Sequence, residues 1–403
     1  MALLGVVLAY LVLDLIGKVL FFDIWLGPVR VFGGEYPISD LFTNLWDGIV
    51  IGLAIGLAGI GLSMTYSILG FANFAHGDYV TSGAFAGWAV AFAISGFGAG
   101  DLGYLLLVGP QGGEGQSAGQ LGINATGQPL AVIAGLVVAA LATVAVVLLI
   151  DRLVYRPMRD QGAISLLIAS IGVALAVRYL IVFVFGANRR GLTAGSGASL
   201  ILGGVDGQLV LTDSRAALIK AQAGQEVGDS LFVRVPFPDL GSYSNEILGI
   251  TAHEVTLVLV AVVLMYALHL VMQRTKLGKS MRAMADNKDL ARVTGIPTER
   301  VIRATWIIGA GLAGVAGYLL ALESGTIGFN IGWRLLLLIF AGVILGGIGS
   351  VYGAMAGGLV VGVASRIALV WLPSDFATAA AFAVMIVMLV YRPTGLFGGV
   401  TTA

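Results

Sequence analysis

Of the 403 residues, 58% are hydrophobic and only 11% are charged, against roughly a quarter charged in soluble domains, which excludes a water-soluble globular fold and implies an integral membrane protein. The 22 Lys+Arg balance 22 Asp+Glu, so the basic excess of a nucleic-acid binder is missing. With 0 Cys and 3 scattered His, disulfides, thiolate centres and cysteine nucleophiles are excluded, and little material remains for metal or redox chemistry.

A crossing helix needs about 20 apolar residues, and such runs lie at roughly 3–25, 45–70, 78–98, 129–150, 162–186, 252–273, 304–322, 334–349, 351–371 and 376–391. The expected fold class is an all-α polytopic helix bundle of about ten spans, because the alternating strands of an outer-membrane barrel are missing from the pattern. The last three runs are short and broken by glycine, so one of them is a candidate re-entrant segment. Met1 to Tyr10 contains no Lys or Arg, so it lacks the basic start of a cleavable signal peptide and the first apolar stretch is expected to be retained. In that stretch Asp14 and Lys18 stand at i, i+4 and can neutralise each other. The chain divides into an extra helix and connector over 1–44, a first part of the bundle over 45–186, an external insertion over 187–251, and a second part over 252–403 that contains the basic segment 274–303.

Between the second and third runs, Phe71-Ala72-Asn73-Phe74-Ala75-His76-Gly77-Asp78 interrupts apolar sequence with polar groups and no basic residue. Asn73, His76 and Asp78 can hydrogen-bond one another or free backbone ends, which makes a broken-helix structural element. Alternatively they line a permeation path, as broken helices do in transporters. Glycines at four-residue spacing, Gly52/Gly56, Gly83/Gly87, Gly342/Gly346, Gly353/Gly357 and Gly358/Gly362, let helix backbones approach closely in lipid. The same glycines, and the run Gly309, Gly311, Gly314, Gly317, would also permit hinge motion.

Basic residues in short loops resist translocation and so set orientation. Arg152, Arg156 and Arg159 in 151–160, and 8 basic against 3 acidic residues in 274–303, mark both loops as cytoplasmic. Parity then places 99–128 and 187–251 outside, with both termini inside. Arg178 in the fifth run and Arg366 in the ninth are costly against lipid and are expected to face protein or a water-filled interior. No cluster of intramembrane carboxylates suggests an ion relay, and no phosphate-cradling loop is present, so any ATP use belongs to another chain. In 187–251, Val205 to Val210, Leu231 to Val235 and the Pro236/Pro238 pair point to a small β-rich external elaboration, with a structureless connector as the alternative. Asn124-Ala125-Thr126 matches a glycosylation tripeptide, a pattern frequent by chance.

The stretch Ala283 to Pro297 is the most informative. Asp286 or Asn287 can N-cap a helix, Gly295 suits its left-handed C′ position and Pro297 blocks continuation. A helix this short is marginal alone in water. It calls for a docking partner on the apolar face of Leu290, Val293 and Ile296, or else the segment lies as a basic loop on anionic headgroups.

Together these stretches resemble the permease subunits of the branched-chain amino acid family of ABC importers, the leucine/isoleucine/valine type and its urea and amide relatives. The resemblance is carried, in order, by Asn73-Phe74-Ala75-His76-Gly77 after the Gly59-to-Gly70 segment, Tyr155-Arg156-Pro157-Met158-Arg159, Leu277-Gly278 through Arg282 with Ala285 through Ile296, Val343-Ile344-Leu345-Gly346-Gly347-Ile348-Gly349-Ser350 with Gly353-Ala354, and Arg392-Pro393-Thr394-Gly395-Leu396-Phe397-Gly398. It covers most of 45–398.

The resemblance implies a transport subunit and not an enzyme. It would sit in a prokaryotic plasma membrane and pair with a second permease, two cytoplasmic ATPases and an external solute-binding protein. This chain would bind no cofactor, ATP being used by the partners, and would work by alternating access. Ala285, Asp286, Asn287, Leu290, Ala291, Val293, Gly295 and Ile296 then resemble the coupling segment that sits in a groove of the ATPase. Asn73, His76, Asp78, Arg178 and Arg366 are candidates for the translocation path. The 1–44 extension and the long 187–251 loop depart from the pattern, and Ser365 stands where the family often has an acidic residue. Two other readings remain from the residues alone: a self-sufficient secondary carrier or channel for a small polar solute, and a non-transporting scaffold.

Overall fold

The computed structural model describes residues 2–20, 22–26, 28–96, 123–192, 199–205, 208–225, 231–235 and 246–397. The 99–122 part of the long loop, the Pro236/Pro238 pair and Gly398 lie outside the described residues. Each apolar run falls on a helix: α1 (Ala2–Val19), α2 (Ile38–Leu69), α3 (His76–Ser95), α4 (Pro129–Ile150), which continues through a π-turn at Asp151–Tyr155 into α5 (Arg156–Met158), and α6 (Ala163–Phe185). After α7 (Arg215–Gln222) come α8 (Ala252–Arg274), α9 (Lys276–Asp286), α10 (Lys288–Val293), α11 (Thr298–Ser324), α12 (Ile331–Gly346), α13 (Val351–Ile367) and α14 (Ala377–Tyr391). Among the described residues, 7 helices are long and apolar enough to cross a membrane: those over Ile38–Leu69, Pro129–Gln161, Ala163–Phe185, Ala252–Arg274, Thr298–Ser324, Val351–Val370 and Ser374–Tyr391. The chain is a mostly helical polytopic membrane protein. Outside these seven, α1 carries Asp14 and Lys18, α3 carries His76 and Asp78 in its first turn, and α12 has only 16 residues.

The described residues form two compact units. The smaller comprises Met1–Gly48, Ala198–Ile250 and Ser365–Ala377. In it α1 is anchored to a hairpin of β1 (Ile24–Leu26) and β2 (Val29–Phe32) through Asp14, which pairs with Lys18 at 2.8 Å and accepts 2.9 and 2.8 Å hydrogen bonds from Gly33 N–H and Trp371 Nε1. One carboxylate in an apolar helix thus finds its partners within the same unit, from α1 itself, the hairpin and Trp371, as burial of charge requires.

Of the remaining strands, β4 (Ser199–Val205), β5 (Gln208–Thr212), β6 (Phe232–Val235) and β7 (Glu246–Thr251) form a four-stranded sheet in the order β6-β5-β4-β7, the short β3 (Arg190–Gly191) preceding them in the chain. Ile201, Val205 and Val210 turn to one face and meet Leu218 of α7 in a small apolar core. Gly203 is required there, because a Cβ would stand 2.7 Å from Leu218 Cδ2.

The larger unit comprises Ile49–Gly197, Thr251–Ala364 and Thr378–Ala403. Its helices meet along glycine seams. Gly83 of α3 lies against Gly314 of α11, Gly61 of α2 against Gly309, and Gly346 of α12 against Gly353 of α13, so closely that a Cβ at these positions would press into the facing backbone. Close backbone approach substitutes for the hydrophobic driving force that helices lack in lipid. The glycine spacing therefore carries packing.

Candidate functional site

The polar stretch between α2 and α3 is a break built from local hydrogen bonds. Gly70, at φ +73°, ends α2 with its N–H on the Tyr66 carbonyl at 2.8 Å, a left-handed helix end that only glycine adopts easily. Asn73 Oδ1 accepts from Ala75 N–H at 3.0 Å, the short side-chain turn typical of Asn, and Phe74 N–H donates to Ser170 Oγ of α6 at 3.0 Å. The three polar side chains expected to bond one another or the backbone take separate partners. His76 Nε2 bonds the Ala58 carbonyl of α2 at 2.8 Å. The Asp78 carboxylate is fully buried and accepts 3.0 Å hydrogen bonds from both Nε and Nη2 of Arg178. Arg178 also stacks over Trp333 of α12, its guanidinium carbon 4.6 Å from the ring centroid. A bidentate pair with an aromatic lid is the arrangement that lets two opposite charges remain inside an apolar bundle.

This break is tied to a second sequence motif. Tyr155, in the π-turn after α4, donates to Asn73 Oδ1 at 3.2 Å, lies 3.1 Å from the Tyr79 hydroxyl, and stacks on Trp306 of α11 with centroids 5.4 Å apart. Four residues earlier, Asp151 accepts from Trp306 Nε1 at 2.8 Å and from Arg159 Nη2 at 2.7 and 2.9 Å. Arg159 Nη1 continues to Glu299, at the start of α11, at 2.8 and 3.0 Å. Asp151, Tyr79 and Trp306 carried no signal of this role in the sequence, being separated from their partners by up to 155 positions.

Glu299 opens the helix that follows the basic segment. There Thr275 caps α9 by accepting from Gly278 N–H at 3.1 Å, and Asn287 caps α10 by accepting from Leu290 N–H at 2.9 Å. Gly295, at φ +85°, follows the end of α10, and Pro297 precedes α11. Leu290 and Val293 are 60% and 84% exposed, whereas Ala291 is 3% exposed and turns into the chain itself. Asp286, Asn287 and Gly295 are exposed, and Ala285 and Ile296 partly so. The segment is thus two short capped helices with an uncovered apolar pair.

Residues 44–390 match the family of branched-chain amino acid transport system permease components. The chain belongs to that family. Among its relatives is the high-affinity branched-chain amino acid transport system permease protein LivH of Escherichia coli, 29% identical over 355 residues, which span 88% of this chain and 94% of LivH. The corresponding protein BraD of Pseudomonas aeruginosa is 27% identical over 361 residues, 90% of this chain and 97% of BraD. No solved structure matches. The chain is accordingly a multi-pass permease of the ABC importer type.

Within this permease, Asn73, His76, Asp78 and Arg178 come together in the larger unit, where α2, α3, α6 and α12 meet. Arg366 belongs to the smaller unit, 3.9 Å from Asp47.

Proposed function

We propose that this chain is the membrane-spanning subunit of an ATP-driven importer of branched-chain amino acids. In this reading it binds no cofactor and pairs with a second permease, two cytoplasmic ATPases that hydrolyse the ATP, and an external solute-binding protein. The seven long apolar helices together with α1, α3 and α12 cross a prokaryotic plasma membrane, both termini are cytoplasmic, and the 199–251 sheet is a folded insertion on the outer face. The observation that carries the coupling role is the exposure of Leu290 and Val293 on a six-residue helix. So short a helix is not self-sustaining in water, and an apolar pair on it is best accounted for by an ATPase groove. The Glu299–Arg159–Asp151–Trp306–Tyr155–Asn73 chain then offers a physical route from that groove to the buried break.

The test is purification of the chain from its native membrane with mass identification of what accompanies it, repeated with Leu290→Asp. An ATPase and a second permease in the wild type, with the ATPase lost in the variant, is the expected result. A chain that purifies alone and still moves solute in vesicles without ATP would replace this reading with a self-sufficient carrier.

A further inference from the structure

Resting on the permease reading above, we infer that α11 and α12 enclose a pocket for the zwitterion of an aliphatic amino acid, so that this chain itself reads the solute. The pocket lies in the larger unit and holds about 330 Å3, within the range of small-molecule sites. Three ionisable side chains line it: Glu323 in the last turn of α11, Arg334 in the first turn of α12, and Arg189 just before β3. Leu320, Leu335 and Leu338 line it as well.

The order of these residues along the two helices matters. Leu320 precedes Glu323 by one turn and Leu338 follows Arg334 by one turn. Because α11 ends at Ser324 and α12 begins at Ile331, both helices hold charge at the end next to their connecting loop and leucine one turn further from it. A molecule with a carboxylate and an ammonium at one end and a branched hydrocarbon at the other has the complementary order. Guanidinium groups offer paired N–H donors to a carboxylate, and a carboxylate accepts from an ammonium. Urea and short amides lack separated full charges and would leave this pattern unused.

Arg189 is held at the rim by backbone pairing and not by chance. The β3 residues Arg190 and Gly191 pair with Ile327 and Thr326 of β8 (Thr326–Ile327), and Leu192 N–H donates to the Gly325 carbonyl at 2.8 Å. Gly328 leaves room for the Arg189 side chain, since a Cβ there would come within 3.3 Å of Arg189 Cγ.

The test is retention of radiolabelled L-leucine by the full chain in lipid nanodiscs, measured by equilibrium dialysis. The competitors are leucinamide, which lacks the carboxylate, isocaproate, which lacks the amine, and urea. L-leucine is expected to be retained, with all three competitors at least about tenfold weaker than unlabelled L-leucine. Arg334→Gln and Glu323→Gln are each expected to weaken retention by about tenfold or more. The analogue series uses the unaltered chain, so a folding defect in a variant cannot imitate the result. Absence of L-leucine retention, equal competition by all three analogues, or unchanged retention in both variants overturns the pocket.

ATP-driven L-leucine uptake by the assembled importer is measured in parallel. Uptake without selective retention overturns the pocket and leaves the permease reading intact. Selective retention without ATP-driven uptake supports the pocket and removes the ATP-driven importer reading.

Discussion

Arg178 donates two 3.0 Å hydrogen bonds to the carboxylate of Asp78, across 100 positions of sequence, with Asp78 fully buried. Each charge is tolerable only because the other is there. Asp78→Asn should therefore destabilise the permease by about 3 kcal/mol or more, since it leaves an unmatched guanidinium inside the bundle. Replacing both residues by leucine should be less harmful than the sum of the single changes. The check is thermal unfolding of the detergent-purified chain for Asp78→Asn, Asp78→Leu, Arg178→Leu and the double leucine variant, and strictly additive leucine effects would contradict the pairing.

The exposure difference along α10 makes a sharper prediction about coupling. Leu290→Asp and Val293→Asp should leave the chain folded and inserted while uptake is lost, because both side chains point away from it. Ala291→Asp, at a position 3% exposed, should instead destabilise the segment itself. Melting temperature and ATP-driven uptake, measured on all three, separate the two effects; equal melting losses in all three would refute the assignment of faces.

Asn287 holds the first turn of α10 through its 2.9 Å bond from Leu290 N–H. Asn287→Ala should weaken that helix by about 1 kcal/mol. Faster amide hydrogen exchange over 288–293, with unchanged exchange in α11, is the expected signature. Protection equal to the wild type would show that the cap is dispensable.

Glycine positions should divide by their surroundings. Gly83→Val forces side-chain atoms into the Gly314 backbone and should lose about 1–3 kcal/mol or fail to assemble, whereas Gly172 has nothing within 4 Å of a built Cβ. Gly172→Ala should be neutral or add up to about 1 kcal/mol through helix propensity. Yield of inserted protein and its melting temperature report on both, and a tolerated Gly83→Val would argue against the seam.

Composition and periodicity alone determined that this is a membrane protein of long apolar helices, because solvent class and helix length depend only on how much apolar surface each stretch must hide. The caps of the basic segment were equally legible, since Asn287, Gly295 and Pro297 act on backbone within a few positions of themselves. The motif at Asn73 to Asp78 was visible as polar residues in apolar sequence, but its partners were not. That Asp78 takes Arg178, that Asn73 takes Tyr155, and that Asp151 takes Trp306 follows from which helices lie side by side, and glycine seams set that choice through contacts between distant backbones. Only the folded chain turned Ala291 inward and Leu290 outward, and only it brought Arg189, Glu323 and Arg334 around one pocket. Local sequence dictates what each segment can be; long-range packing decides which charges meet.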